Sequence, residues 1–214
     1  MQDTWNARDL DLTGFLHYMQ HPGQGTDNAS ISEVFTKIGV NDEMLARLLG
    51  KPEVVEFLDR QYKPKPVDFD YLLALDAQSF GHQWAQFMLL NNLDPHFFVN
   101  QNHDDPRTYL INRMHDTHDM WHVLLGFDTS EAGEAGMNAF SYAQCFSPTT
   151  CLLMAAKLVR AINGPENVRI EMMNNIVKGY QFGQEAYSLI AIALEEYWEA
   201  PLCALRLKWG IPVD

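Results

Sequence analysis

Apolar residues recur at helical spacing along nearly the whole chain, and no run alternates apolar with polar residues between turn signals as a half-buried strand would. A chain patterned this way builds its core by packing helix on helix. The expected fold is all-α, a single-domain bundle of about eight helices over residues 1–214, a length that supports a sizeable core without disulfide staples.

Local punctuation sets the expected helix ends. NDEMLARLLGKPEVVEFLDRQY reads as two short helices broken at Gly50, with Pro52 opening the second. FDYLLALDAQSFGHQWAQFMLLNNL gives a short helix and a longer one starting near Ser79. Further on, Asp105 caps a helix with Pro106 at its first position, and Gly126 stops it. The next helix is expected to start from Asp128, with Glu131 three residues later as a capping-box partner and Phe127 as a staple. SPTTCLLMAAKLVRAING is another helix, closed by Asn163, Gly164 and Pro165. One or two long helices follow from about Glu166, and a last one lies near Pro201. HPGQGTDNAS, residues 21–30, is the one obvious flexible loop; no Gly-Lys-Ser/Thr follows its glycines, so a phosphate cradle is not supported.

A net charge of −13 argues against nucleic acid as a partner, because phosphate binding needs a basic surface. The same excess weakens electrostatic attraction to anionic lipid but leaves apolar insertion open. Cys145, Cys151 and Cys203 are odd in number and form no CxxC, which fits core residues in a reducing compartment. The start MQDTWNARDLD lacks a leader pattern, and no apolar run approaches the roughly 20 residues of a membrane helix. The expected location is cytoplasmic, with peripheral contact to the inner membrane.

One segment concentrates the groups that bind metals or move protons: HDTHDMWHVLLGFDTSEAGE, from His115 to Glu134. At roughly 100° per residue, His115, His118 and His122 fall on one helix face. His118 and His122, four apart, occupy adjacent turns, from which two imidazoles can converge on one ion as in HExxH proteins. Asp119 lies a quarter-turn away, where it can be a ligand, a partner of a ligand or a base. A helix hairpin folded back after Gly126 could bring Glu134 opposite His122. Two histidines and two carboxylates suit zinc, manganese or iron, with magnesium less favoured. The bland alternatives are a solvated, histidine-rich helix face, with Glu131 as a cap and Asp116 in solvent.

Other chemistries fit less well. A ferritin-like di-iron site needs ExxH on two helices, and the sequence contains no ExxH. A metal-dependent phosphohydrolase could use the His115-Asp116 and His118-Asp119 dyads. It would also need a distant histidine, His82 or His96, and a distant aspartate, of which only Asp214 lies downstream of Glu134. No GxSxG pattern supports nucleophilic catalysis.

His118-Asp119-x-x-His122, eleven residues, then Glu134 resembles the hallmark of the coenzyme Q (ubiquinone) biosynthesis protein 4 family. The resemblance continues through DDPRTYLINR with Tyr109 and Arg113, through LDAQSFGHQWAQFM with Gly81, and through LEEYWEAPLCALRLKWGI. It covers about residues 65 to 212. Membership implies an all-α fold, a divalent metal held by His118, Asp119, His122 and Glu134, and an apolar tunnel accepting an isoprenoid tail. Zinc is the first choice of metal, with iron, manganese or magnesium as alternatives. The implied substrate is a polyprenylated quinone precursor, and the implied reaction is decarboxylation and hydroxylation at ring carbon C1. Asp119 and Arg113 are then candidate catalytic residues, and Tyr109, Arg113, His115 and Arg206 candidate substrate contacts. The alternative is a non-catalytic, lipid-binding scaffold that organises other quinone-biosynthesis enzymes. The family also implies a homodimer.

The chain departs from the family pattern in places. His115 stands where a second arginine is usual, Asp76 replaces a proline, and Gln184 and Glu185 follow Gly183 where basic residues are usual. The changes at His115, Gln184 and Glu185 remove positive charge that could hold an anionic head group.

Overall fold

The computed structural model describes residues 11–20, 35, 40–94 and 105–212. The expected loop at residues 21–30 and His96 lie outside them. The described residues form ten α-helices and two short 3-10 turns, with no strand among them, so the all-α expectation is met. They are α1 (Thr13–Gln20), α2 (Val40–Leu49), α3 (Pro52–Asp59), α4 (Phe69–Ala74), α5 (Phe80–Leu90) and α6 (Pro106–Leu125). After these come α7 (Glu131–Cys145), α8 (Pro148–Ala161), α9 (Glu166–Glu185), the 3-10 turns Leu189–Ala191 and Leu194–Tyr197, and α10 (Leu202–Lys208). The sequence pattern gives no signal for α1, whose eight residues are too few to establish a period.

The chain divides into two compact units. The first takes its described residues from Met1–Leu49 and Ser130–Gln184. Here α7 packs on α8, and α1 on α8. Tyr18, Phe35, Leu153 and Ala156 form one apolar cluster, and Ala132, Ala135, Ala161 and Met172 another. Small residues let α7 and α9 meet backbone to backbone. A Cβ on Gly179 would penetrate the carbonyl group of Gly136, and one on Gly183 would lie 2.6 Å from the Phe140 carbonyl oxygen.

The start of α7 differs from expectation. Ser130 is the N-cap, its hydroxyl accepting from the Gly133 N–H at 3.1 Å, so the helix begins two residues later than a cap at Asp128 would place it. Glu131 is then the first helical residue and no longer in position for a capping box. It instead accepts from the Arg160 guanidinium of α8 at 2.7 Å.

The second unit takes Gly50–Thr129 and Glu185–Asp214. Its caps follow the sequence closely. Asp68 caps α4, Ser79 caps α5, Asp105 caps α6 ahead of Pro106, and Pro52 opens α3. The C-terminal segment is pinned to the start of α5 by backbone bonds: Phe80 N–H to Ala200, Gly81 N–H to Trp198 and Leu202 N–H to the Gln78 carbonyl. Gly81 is required there, since a Cβ would come 2.9 Å from the Trp198 carbonyl oxygen. Around this seam Phe69, Trp84, Trp198 and Phe80 stack in sequence, with ring centroids 5.0–5.5 Å apart. The α6 helix packs on α5, on the first 3-10 turn and on α10, and these contacts hold the histidine-bearing helix.

Candidate metal centre

The site is built at the C-terminal end of α6. Gly126 adopts a left-handed conformation with φ 74°, and the N–H groups of Gly126 and Phe127 both donate to the His122 carbonyl, at 2.9 and 3.2 Å. This is a Schellman-type helix end, and the chain reverses immediately after it. The reversal carries the Phe127 carbonyl back to the His122 ring, where it accepts from Nδ1 at 3.1 Å. A carbonyl oxygen can only accept, so Nδ1 carries the proton and Nε2 keeps its lone pair when the ring is neutral. Phe87 of α5 stacks on the other side of the imidazole, with centroids 5.5 Å apart and planes 24° apart. His122 is 1% exposed, so its ring is held from every side.

That fixed Nε2 faces Nε2 of His118, 3.2 Å away, with the two rings nearly perpendicular at 84°. Two nitrogens bound to one tetrahedral zinc at about 2.0–2.1 Å each would stand roughly 3.3 Å apart, so the spacing fits a shared ion. Asp119 completes the cluster: one ligand atom from each of His118, Asp119 and His122 lies within 4.8 Å of the others. The carbonyl acceptor behind the His122 imidazole is of the kind that metal-binding histidines ordinarily have.

The remaining expected residues stand as follows. Glu134 is in the first turn of α7, half-buried, its N–H donating to the Ser130 carbonyl. His115 is half-buried one turn before His118, and burial, then the neighbouring His118, holds it below the ordinary histidine range. His82 Nδ1–H donates to the Leu73 carbonyl of α4 at 3.0 Å, a structural bond.

The arginines and the tyrosine expected near a substrate are engaged by the chain itself. Arg113 is 3% exposed and forms a two-point ion pair with Glu195, at 2.6 and 2.7 Å, while also donating to the Ile192 carbonyl at 2.8 Å. Its guanidinium therefore already answers an internal carboxylate. The Tyr109 hydroxyl donates to the Tyr62 carbonyl at 2.9 Å. Arg206 donates to the carbonyls of Leu124 and Val123, at 2.8 and 3.1 Å, and so closes the C-terminal end of α6 beside Gly126. Sequence spacing alone could not have shown these pairings.

The family model for the coenzyme Q (ubiquinone) biosynthesis protein Coq4 matches residues 11–213. The chain belongs to the Coq4 family. Among its Coq4 relatives, the mitochondrial ubiquinone biosynthesis protein COQ4 homolog of Rattus norvegicus is 30% identical over 155 residues, covering 68% of this chain and 55% of that protein. The Xenopus tropicalis homolog is 27% identical over 168 residues, covering 75% of this chain and 58% of that protein. The chain thus spans about half the length of the mitochondrial relatives it matches. A crystal structure from Nostoc punctiforme, of a protein provisionally assigned to ubiquinone biosynthesis, superposes with a TM-score of 0.83 at 24% identity. It covers 98% of this chain and 100% of its own, and shares the fold. Among the described residues of this Coq4-family chain, no helix is long and apolar enough to cross a membrane.

Two supports of the site escaped the sequence reading, the Phe127 carbonyl and the Phe87 ring. The first had a signal, since a glycine-terminated helix ending His-Val-Leu-Leu-Gly-Phe turns the residue after the glycine back toward the histidine. Phe87, in another helix, had none.

Proposed function

We propose that this Coq4-family chain binds a divalent transition metal, zinc first, through His118, Asp119 and His122, and serves ubiquinone biosynthesis by acting on a polyprenylated ring precursor. The observation carrying this reading is the 3.2 Å approach of two imidazole nitrogens, one of them fixed in its tautomer by the Phe127 carbonyl. Glu134 enters as fourth ligand on the motif alone. When bound, such an ion supplies Lewis-acid stabilisation of charge on a substrate carboxyl or phenolic oxygen. The chain's own part is to present His122 Nε2 as a ready lone pair, to keep water from its buried ring, and to set the Asp119 carboxylate beside both imidazoles.

The reaction in this proposal replaces the ring carboxyl by hydroxyl: the bond from ring to carboxyl breaks with loss of carbon dioxide, water supplies the hydroxyl oxygen, and dioxygen takes up two electrons and two protons and leaves as hydrogen peroxide. The polyprenyl tail would lie in an apolar tunnel, a part of the reading that rests on family membership. Arg113 is left out of the substrate contacts because Glu195 occupies it.

Elemental mass spectrometry on protein purified without added metal tests the first step. Near-stoichiometric transition metal that falls sharply in His122→Ala and in Glu134→Ala supports the set; unchanged content in both variants removes it. Carbon dioxide release from a prenylated hydroxybenzoate under oxygen then tests catalysis. A loaded protein that releases none would instead be the non-catalytic scaffold.

A further inference from the structure

The second unit carries a pocket of about 310 Å³ made of residues outside the metal-ligand set. It is lined by Ala191, Ile192 and Ala193, from the end of the first 3-10 turn to the start of the second, and by Tyr187, Tyr197 and Trp209. Three charged side chains stand in its lining: Arg60, Glu196 and Lys208.

Charge bookkeeping within the pocket is one-sided. Arg60 donates to Glu196 at 3.1 Å, so the single carboxylate of the lining already has its counter-charge. Lys208 has none. Its Nζ lies 3.2 Å from the Tyr197 hydroxyl oxygen, 4.4 Å from that ring's centroid and 5.9 Å from that of Trp209. Aromatic faces stabilise an ammonium but leave its charge unneutralised. In a chain of net charge −13, the lining itself thus holds one surplus cation beside aromatic walls, with the carboxylates of Glu53 and Glu56 acting on Tyr187. Tyr197 and Trp209 meet at 89°, forming a corner whose edges can seat a planar ring.

We propose that this pocket binds a small aromatic monocarboxylate, its carboxylate on Lys208 and its ring in the corner of Tyr197 and Trp209. One surplus cation matches one negative charge. A doubly charged phosphate would exceed the pocket's charge and meet the repulsion of the acidic chain. The volume suits a single-ring ligand, being at the low end for small-molecule sites.

Benzoate titrated into the full-length protein, followed by the Trp209 indole N–H resonance, tests this. Saturable binding is expected, with acetate and benzylammonium far weaker. Lys208→Met should weaken benzoate about tenfold, the loss of one charge-assisted contact. Lys65→Met removes the same charge elsewhere on the exposed surface and should leave the affinity unchanged. No saturation with benzoate would overturn the proposal. So would acetate binding equally well, or Lys65→Met weakening binding as much as Lys208→Met. Metal content should be the same in all three proteins, which separates this test from that of the metal centre.

Discussion

Arg113 and Glu195, 82 positions apart in sequence, form a buried two-point ion pair in which both side chains are under one-tenth exposed. Beneath the guanidinium lie the rings of Phe57 and Tyr62, with its central carbon 5.6 and 5.5 Å from their centroids. A residue that could be taken for a substrate's partner is thereby a structural element of the histidine helix.

Removing one member leaves the other charged and unpaired in the interior. Glu195→Ala should destabilise the protein by about 3–5 kcal/mol. The double change Arg113→Met, Glu195→Leu should cost much less, since no charge is then stranded. Urea unfolding of the two variants checks this, and equal losses would mean that packing, not charge, dominates there.

Gly179 should not accept a side chain. Alanine there drives its Cβ into the Gly136 carbonyl, and backbone cannot yield as a flexible side chain can. A loss of about 1–3 kcal/mol is expected, in the range of overpacked interiors. Gly164→Ala, whose Cβ would sit 3.3 Å from the Ala161 carbonyl oxygen, should cost distinctly less in the same thermal-melt comparison.

The alkaline limb of stability should depend on Tyr62. Burial, then the charge of Glu195, pushes its hydroxyl from 10.0 up to about 12, partly offset by Arg113. A raised folded value means the unfolded tyrosine loses its proton first as pH rises. The contribution is fully present below pH 10.0 and is lost progressively between there and about 12. Tyr62→Phe should flatten that part of the stability curve and leave the neutral region's slope unchanged. Urea midpoints measured across the window decide it.

The cap of α7 can be assigned by substitution. Ser130→Ala should cost about 1 kcal/mol, the usual loss for an N-cap side chain. Glu131→Ala removes only a half-exposed pair with Arg160 and should cost less than about 1 kcal/mol. A larger effect at Glu131 would restore the capping-box register that the sequence suggested.

Most helix ends were legible because their causes are local. Asp105-Pro106, Ser79, Pro52 and Gly126 each act within a few residues, and each acts in the structure as its type dictates. Ser130 was missed because Asp128, two positions earlier, is an equally good cap by composition, and only the path of the chain selects between them. His118, Asp119 and His122 come together because one helix fixes their spacing, so the sequence contained that geometry. The partners of Arg113 and Arg206 are set by tertiary packing and leave no periodic trace. For that reason the sequence could not show that the two residues expected as anion contacts also bond to the chain itself.

The bond from Arg206 to the Leu124 carbonyl spans 82 positions, the same separation as Arg113 to Glu195. During synthesis, therefore, the histidine helix emerges well before either of its clamps exists. A nascent chain stalled after α6 would carry all three imidazoles of that helix with neither end secured. The cluster of His118, Asp119 and His122 should gain its final order only when the last helix has left the ribosome, so the metal uptake proposed for it would be a late event in the life of the chain.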